Sequence, residues 1–241
     1  MKKILIVFGV VIGTLFLLIL IARVTGLLGW YVNPTPANEP TLKMGRSFLF
    51  TSLKTPARGN FIVYKNAYTD STLEQGGMVI ETGHNNYVKR LCGMPGDMLQ
   101  MKNGVLFVNG ENFDRDFVLK SYYITTYEEL GKTGLDLDSL NNLGTGDLLQ
   151  QPNDTVFINL DDKQALVLKK QITIQRHLMN DTATVFKWMG SPVAFTVDNW
   201  GPIKVPADSY FVLGDNRQNS LDSRFFGFVN KKSCQGTVLW K

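Results

Sequence analysis

The stretch VKRLCGMPGD, residues 88–97, joins a strand-like run to a tight turn. Its first half is short, apolar and partly β-branched, which is typical of a strand, and the Pro-Gly pair near its end is typical of a turn. A lysine in such a strand is ordinarily a solvated surface group. Lys89 has Val88, Leu91 and Met94 nearby, however, and these residues would give it an apolar setting if the strand were buried.

Segments of similar composition occur on both sides of this stretch and are separated by Gly, Pro or Asn turns. Residues 44–110 are therefore predicted to form β structure. The strand pattern returns near the C-terminus in Tyr210–Gly214 and Thr237–Trp240. The segments predicted as strands in residues 44–110 include Ser47–Thr51, Asn60–Lys65, Met78–Glu81, Tyr87–Leu91 and Val105–Val108.

Two Asn-Gly pairs bound the segment Val105–Val108, namely Asn103-Gly104 and Asn109-Gly110. Asn-Gly suits the positive φ angles that hairpin turns require. The sequence therefore predicts a strand between two tight turns.

The middle of the chain differs in character. Residues 125–155 are rich in Gly, Asn, Asp and Leu with little periodicity, so we expect a poorly ordered or loop-dominated insertion. Residues 159–170 have aspartates near their start, at 161 and 162, and end with lysines, which suits a short helix with a favourable cap and dipole. Together these segments predict a second, smaller lobe.

An uncharged apolar run extends from Ile4 to Ala22. As a helix it would reach roughly 28 Å at about 1.5 Å per residue, close to the thickness of a bilayer core. A cleavable signal peptide is the competing interpretation, with Lys2 and Lys3 as its charged region. The run is longer than such peptides usually have and no small-x-small site follows it cleanly, so a transmembrane anchor is favoured.

The charges that flank this run predict its orientation. Lys2, Lys3 and the terminal amine outweigh the single Arg23 beyond the run. Since positive charge accumulates on the cytoplasmic side, we expect a single-pass protein of the cytoplasmic (inner) membrane with residues 24–241 on the extracytoplasmic side.

Composition argues against several other classes. The net charge of +4 comes from 25 basic and 21 acidic residues without a basic block, so no nucleic-acid partner is expected. Cys92 and Cys234 lack metal-ligand spacing; a bridge outside the cell is one possibility, and two lone thiols are favoured. With only His84 and His177 besides, no zinc or other metal site and no cofactor are expected.

Three separated segments carry a resemblance to a known family. These are Pro40-Thr41-Leu42 with its proline-rich lead-in, residues 88–97, and GDNRQNSLDSRFFG at 214–227. Together they resemble the bacterial type I signal peptidases, the membrane-bound serine/lysine endopeptidases that remove signal peptides from exported proteins. Arg58-Gly59, residues 199–202 and the N-terminal anchor extend the resemblance to nearly the whole chain except about residues 112–190.

The resemblance implies a mainly β fold: an antiparallel-sheet catalytic domain with a small inserted lobe and one N-terminal transmembrane helix. The implied organisation is a cytoplasmic N-terminus (1–3), a transmembrane helix (4–22), a β domain in two parts (23–111 and 193–241), and an inserted smaller lobe with an irregular segment (112–192).

The family uses a serine nucleophile and a lysine general base, a variant of the triad that needs no histidine. The resemblance places Lys89 on the general base, Ser220 on the hydroxyl that orients this lysine, and Thr35 on a hydroxyl that helps to hold the oxyanion. A lysine base must be neutral, so burial must lower its pKa toward about 7 to 8.

Four charged residues fall on positions that brace the family's site. Asp222 and Arg224 are interpreted as a framework ion pair that supports geometry and performs no chemistry. Asp215 lies in a tight turn that carries its loop, and Arg90 follows the lysine.

The nucleophile position departs from the family pattern. Where the family has Ser-Met-x-Pro-Thr-Leu, residues 37–42 read Ala-Asn-Glu-Pro-Thr-Leu, so Ala37 presents a methyl group. In another serine protease, loss of the nucleophile costs about a millionfold in rate. Three explanations stay open: an engineered Ser-to-Ala replacement, a natural member that has lost catalysis, or a neighbouring hydroxyl, Thr35 or Thr41, that has taken over.

The resemblance implies that signal peptides of exported preproteins bind as an added strand in a shallow apolar groove near Ala37. The bilayer is a second expected partner, through Leu27, Leu28 and Trp30 in the outer leaflet. Secretion machinery or an active signal peptidase paralogue is a further possible partner. The alternative from another class is a non-catalytic, membrane-anchored β protein that binds a peptide or a partner protein.

Overall fold

The computed structural model describes residues 2–66, 85–134, 149–150, 154–180, 182, 185–190 and 195–240. It begins with one long helix, α1 (Lys2–Val24), none of whose residues is buried. With a mean hydropathy of 3.2, α1 is long and apolar enough to cross a membrane. The predicted span, residues 4–22, lies within it.

Short strands make up most of the remainder. They are β1 (Leu28–Val32), β2 (Ser47–Thr51), β3 (Phe61–Tyr64), β4 (Tyr87–Gly93), β5 (Met98–Lys102), β6 (Val105–Val108), β7 (Glu111–Asn112), β8 (Lys120–Thr126), β9 (Leu149–Gln150), β10 (Thr155–Asp161), β11 (Gln175–Arg176), β12 (Trp200–Lys204), β13 (Ser209–Leu213), β14 (Val229–Asn230) and β15 (Cys234–Trp240). The short helices are α2 (Tyr127–Gly131), α3 (Asp162–Leu168) and α4 (Ser223–Phe226), with 3₁₀ turns at Pro36–Asn38, Asp114–Asp116, Lys187–Met189 and Lys231–Ser233.

The strands of the described residues form three antiparallel sheets. The largest has the order β1-β2-β15-β3-β4-β13-β14, and two four-stranded sheets have the orders β12-β5-β6-β7 and β11-β8-β10-β9. The predicted fold class, mainly antiparallel β with one N-terminal apolar helix, is confirmed. The predicted domain boundaries stay a prediction.

The predicted hairpin joins β5 to β6. Asn103 and Gly104 have φ angles of 49° and 74°, and Leu99 pairs with Val108 across the two strands. Asn109 and Gly110 make the second turn with φ angles of 53° and 85°. Each turn uses the left-handed backbone region that Asn and Gly enter at least cost.

The inserted sheet of β8 to β11 has its own apolar core. Val156, Ile158 and Leu160 on β10 pack with Ala165 and Leu168 of α3. The helix α3 is shorter than the predicted segment 159–170. Residues 159–161 belong to β10 instead, where they pair with β8. The cap of α3 is a capping box at Asp161, whose carboxylate accepts hydrogen bonds from the backbone N–H groups of residues 163 and 164.

Residues 125–155 were expected to be dominated by loops, and this prediction is wrong for residues 125–131. Residues 125–126 complete β8, and α2 follows because Thr126 caps it by accepting from the N–H of Glu129 while Leu130 is buried. Most of the remainder of this segment, residues 135–148 and 151–153, lies outside the described residues. The predicted strand at residues 78–81 and His84 also lie outside them.

Cys92, Cys234 and His177 lie outside the candidate active site described below. Cys92 and Cys234 are both free, and burial raises the pKa of Cys92 to about 12. His177 packs edge-on against Phe157, with ring centroids 4.8 Å apart. Within the described ranges, no group of His, Cys, Asp and Glu has an arrangement that could hold a metal ion.

Candidate active site

Ala37 lies in the 3₁₀ turn Pro36–Asn38, which follows the proline-rich lead-in. It is buried, with 6% of its surface exposed. Its carbonyl oxygen accepts a hydrogen bond of 3.1 Å from the N–H of Asn216. The turn is thereby held against the loop of residues 214–217. Thr35, which precedes the turn, has an extended backbone and is exposed, and its side chain makes no capping bond to the turn.

Asn38 connects this turn to the strand that carries Lys89. Its side chain is buried, and Nδ2 donates a 2.8 Å hydrogen bond to the carbonyl oxygen of Val88. Val88 directly precedes Lys89 on β4. This bond brings together two segments that are 50 residues apart in sequence, and with them the turn of Ala37 and the predicted base.

Lys89 is on β4, which lies between β3 and β13 in the largest sheet, and only 8% of its surface is exposed. Burial disfavours its charged form and lowers its pKa from 10.5 to about 8. The carboxylates of Asp222 and Asp215 act in the opposite direction and offset part of this effect. Near neutral pH, Lys89 therefore has a much larger neutral fraction than an exposed lysine.

Ser220 and the carbonyl of Ala37 face the same small space above Gly214. A Cβ atom on Gly214 would lie 2.3 Å from Ser220 Oγ and 2.4 Å from the oxygen of Ala37, so only glycine fits. Ser220 Oγ is buried and has no hydrogen-bond partner in the part of the chain that is described. The predicted site residues Ala37 and Ser220 are thus neighbours across Gly214.

Arg90 and Asp215 form a buried, two-pronged ion pair. Arg90 Nε lies 2.6 Å from Oδ1 of Asp215, and Nη2 lies 2.5 Å from Oδ2. The remaining nitrogen, Nη1, donates to the carbonyl oxygen of Gly59 at 2.6 Å. Thr41 Oγ1 donates to the same carboxylate at 2.5 Å and accepts from Arg90 Nη2 at 3.2 Å. The hydroxyl of Thr41 is therefore part of this ion-pair network.

Asp222 and Arg224 form a second ion pair with no exposed surface. Two bonds of 2.8 Å join the guanidinium to the carboxylate. Asp222 also accepts from the N–H of Gly214, and Arg224 donates to the carbonyl oxygen of Arg217. The pair therefore fixes the loop that presents Gly214 and Ser220.

The inserted sheet also contacts the site, through Lys120, a residue that no sequence motif marks. Lys120, the first residue of β8, is buried and its Nζ lies 3.1 Å from Oε2 of Glu39. Its backbone pairs with the site loop, donating to the oxygen of Asp215 and accepting from the N–H of Arg217. A single lysine in a strand carries no local signal for this role.

Three asparagine side chains, those of Asn33, Asn38 and Asn86, have amide oxygens without a partner among the described residues. Asn33 Nδ2 donates to the oxygen of Leu42 at 2.7 Å, Asn38 donates to that of Val88, and Asn86 donates to Tyr31 Oη at 2.7 Å. For Asn33 and Asn38, the carbonyl partner fixes the amide so that Oδ1 is the free atom. Among the described residues, none of the three oxygens has a partner. The site therefore has acceptors that lack donors.

Comparison with known proteins identifies the family of the chain. The family model for signal peptidase, peptidase S26, matches residues 5–241. The chain is 31% identical over 204 residues to signal peptidase I P of Bacillus subtilis subsp. natto. The aligned region covers 79% of this chain and 76% of the relative. It is 28% identical over 221 residues to signal peptidase I of Buchnera aphidicola subsp. Baizongia pistaciae, which covers 86% of this chain and 67% of the relative.

A crystal structure of a signal peptidase I from Enterococcus faecalis V583 aligns with a TM-score of 0.35 at 20% identity, covering 77% of this chain and 98% of that one. Since the family model matches nearly the whole sequence, the chain belongs to the signal peptidases of the peptidase S26 family.

Proposed function

We propose that this protein is a membrane-anchored member of the family that binds signal peptides of exported preproteins, and that its cleavage activity is lost or strongly impaired. One observation carries the proposal. Lys89 is buried with its pKa lowered to about 8, next to a turn in which Ala37 presents a methyl group. The general base is retained and the attacking oxygen is absent.

The neighbouring hydroxyls are poor replacements for a serine. Thr41 Oγ1 donates to Asp215 and accepts from Arg90, so its use as a nucleophile would break a buried network. Thr35 is exposed and precedes the turn, which suits the predicted oxyanion role better than attack. An error of about 1 Å in position already costs on the order of a hundredfold in rate. Loss of the nucleophile is the simpler interpretation.

Asn38 favours natural divergence over an engineered single replacement. The family pattern has methionine at this position, and here the amide makes a buried hydrogen bond to Val88. A replacement designed only to remove a serine would leave the methionine in place. The turn has therefore changed at two adjacent positions, and the second change has its own structural role.

The proposed peptide site is the groove beside the turn of Ala37, where an extended peptide would add as a strand to an edge of the fold. The unpaired oxygens of Asn33, Asn38 and Asn86 are buried, so a bound strand would reach them only after the surrounding segments moved. We infer that the peptide lies along this part of the site, with Lys89, Ser220 and Thr35 around its scissile carbonyl.

The membrane placement follows from α1. We propose that its N-terminus is cytoplasmic, because Lys2 and Lys3 precede the helix, and that the β domain is extracytoplasmic. The site then faces the compartment into which preproteins are exported. An active signal peptidase or a component of the secretion machinery is the proposed protein partner.

The decisive experiment measures cleavage of a fluorogenic signal-peptide substrate by the detergent-solubilised full chain. Four proteins are compared: the natural chain, Ala37→Ser, Ala37→Ser with Lys89→Ala, and the control Ala57→Ser. Ala57 is exposed and outside the site, so the control makes the same chemical change elsewhere. We expect only Ala37→Ser to cut, at least about a thousandfold faster than the natural chain.

Each other result has a distinct meaning. Cleavage by the natural chain would show that the inference from Ala37 is wrong and that Thr35 or Thr41 supplies the nucleophile. Peptide binding without cleavage by Ala37→Ser would favour the alternative, a non-catalytic peptide-binding protein. Absence of both binding and cleavage in all four proteins would refute the proposal.

A further inference from the structure

Trp30, on the edge strand β1, lines two surface cavities. The larger, about 600 Å³, lies between β1 and the loop that precedes β2, and its walls include Trp30, Leu42, Lys43, Arg46 and Phe48. The smaller, about 250 Å³, has Trp30 and Arg23 among its lining residues. We call the surface formed by Arg23, Trp30, Lys43 and Arg46 the Trp30 face.

The basic side chains of the Trp30 face are available to a ligand. Arg23, Lys43 and Arg46 are all exposed, and in the described ranges of the chain none of their side chains forms a hydrogen bond or an ion pair. The carboxylate nearest in sequence, Glu39, is already engaged by Lys120 and by the N–H of Met44. The face therefore carries uncompensated positive charge beside apolar walls.

The Trp30 face lies at the membrane end of the β domain. Arg23 is in the last turn of α1, and it lines the same cavity as Trp30. Trp30 is 51% exposed, and Val32 and Met44 are exposed apolar side chains nearby. Tryptophan is enriched at membrane–water interfaces, where its ring contacts the headgroup region. The position and the exposed side chains both suit a lipid surface.

We propose that the Trp30 face binds the headgroup of an anionic phospholipid at the membrane surface where α1 ends. The lipid phosphate would lie between Lys43 and Arg46, while the exposed ring of Trp30 contacts the glycerol and upper acyl region. Charge complementarity and continuity with α1 select this occupant. The proposal rests on membrane anchoring by α1 and is independent of Ala37 and of peptide binding.

The contact would also orient the site. Residues 40–42, which line the larger cavity, come shortly after the turn Pro36–Asn38 in the chain. A lipid bound there would hold these residues close to the bilayer, where a membrane-embedded precursor emerges.

The test uses the full chain in neutral detergent and native mass spectrometry. Phosphatidylglycerol and phosphatidylcholine with identical acyl chains are offered at equal concentration, and the retained lipid is counted. A basic side chain near an anionic surface contributes a factor of about five, so Lys43→Ala with Arg46→Ala should reduce the preference for phosphatidylglycerol by about twenty-five-fold. The control, Lys163→Ala with Lys170→Ala, removes two exposed lysines of the inserted lobe and should leave the preference unchanged.

One further arm, competition by inorganic phosphate, makes the outcome decisive. All four substituted side chains are exposed, so folding is retained, and Lys2 and Lys3 are present in every protein. Equal retention of the two lipids by the natural chain, or an unchanged preference in the Lys43/Arg46 variant, would overturn the proposal. Displacement of the lipid by an equal concentration of inorganic phosphate would indicate a simple anion site and would also overturn it.

Discussion

Lys89 and Arg90 are neighbours on β4 and almost equally buried, with 8% and 3% of their surfaces exposed, yet the fold treats their charges in opposite ways. Arg90 has a carboxylate, a carbonyl and a hydroxyl as partners, and its guanidinium also lies 4.4 Å from the ring centroid of Phe61 and 4.0 Å from that of Phe117. Lys89 is desolvated, and its pKa falls to about 8.

The difference follows from strand geometry and points to function. Successive side chains of a strand point to opposite faces, so two adjacent cations have different surroundings. The Arg90 side is a compensated ion-pair network that holds the site loop in place. The Lys89 side is an undercompensated cation, which reduces stability. The proposed role of Lys89 as a general base at the turn of Ala37 would account for its retention.

The largest effect on stability is expected from removing the carboxylate that pairs with Arg90. Asp215→Asn keeps the shape of the side chain but leaves the buried charge of Arg90 without a counter-charge. Loss of one partner of a buried pair costs about 3–5 kcal/mol in the free energy of unfolding. Urea unfolding of the full chain in detergent, followed by tryptophan fluorescence, measures this loss.

The matched control for this prediction is Asp116→Asn. Asp116 pairs with Arg115, and both side chains are more than half exposed. An exposed pair contributes at most about 1 kcal/mol, so the control should change little. Equal effects of the two substitutions would show that the Arg90 network does not stabilise the fold.

The next largest effect concerns Lys89, whose replacement should increase the free energy of unfolding. The pKa of Lys89 is about 8 in the folded chain and about 10.5 in the unfolded chain. The unfolded state therefore binds a proton more readily, which destabilises the fold fully below pH 8 and progressively less as the pH rises toward 10.5. Lys89→Met should remove this penalty and raise the free energy of unfolding by up to about 3 kcal/mol at pH 7.

The pH dependence identifies the source of this gain. The difference between Lys89→Met and the natural chain should shrink between pH 8 and pH 10.5, because other titrating groups are shared by both proteins. Lys170→Met, which replaces an exposed lysine, should show no such dependence. A gain that is constant across this pH range would mean that packing, and not the charge of Lys89, is responsible.

Local parts of the fold could be predicted from the sequence because their causes are local. The turn at Asn103-Gly104 follows from the φ angles that these two residues adopt, and the cap of α3 follows from one side chain, Asp161. Both causes act within a few residues. The start of α3 was predicted too early because residues 159–161 pair with β8, and such pairing depends on a distant segment.

The contacts that build the site could not be predicted in this way. Asn38 bonds to Val88 across 50 residues, Lys120 to Glu39 across 81, and Arg90 to Asp215 across 125. Each bond depends on how sheets pack, and neither partner has a local pattern that marks it. The family motif located the segments of the site, whereas Lys120 lies between the motifs and was missed.

The smallest expected effect is the pH dependence of cleavage by Ala37→Ser, which reports the pKa of Lys89 directly. In Ala37→Ser, only the neutral amine can accept the serine proton, and the pKa of Lys89 is about 8. The value of kcat/KM should therefore rise about tenfold per pH unit below pH 8 and level off above it. Cleavage of a substrate without groups that titrate between pH 6 and 10 measures this profile, with tryptophan emission as the control for folding. A rise centred near pH 10.5 would mean that Lys89 is solvated like an ordinary lysine, and a flat profile would mean that no lysine acts as the base.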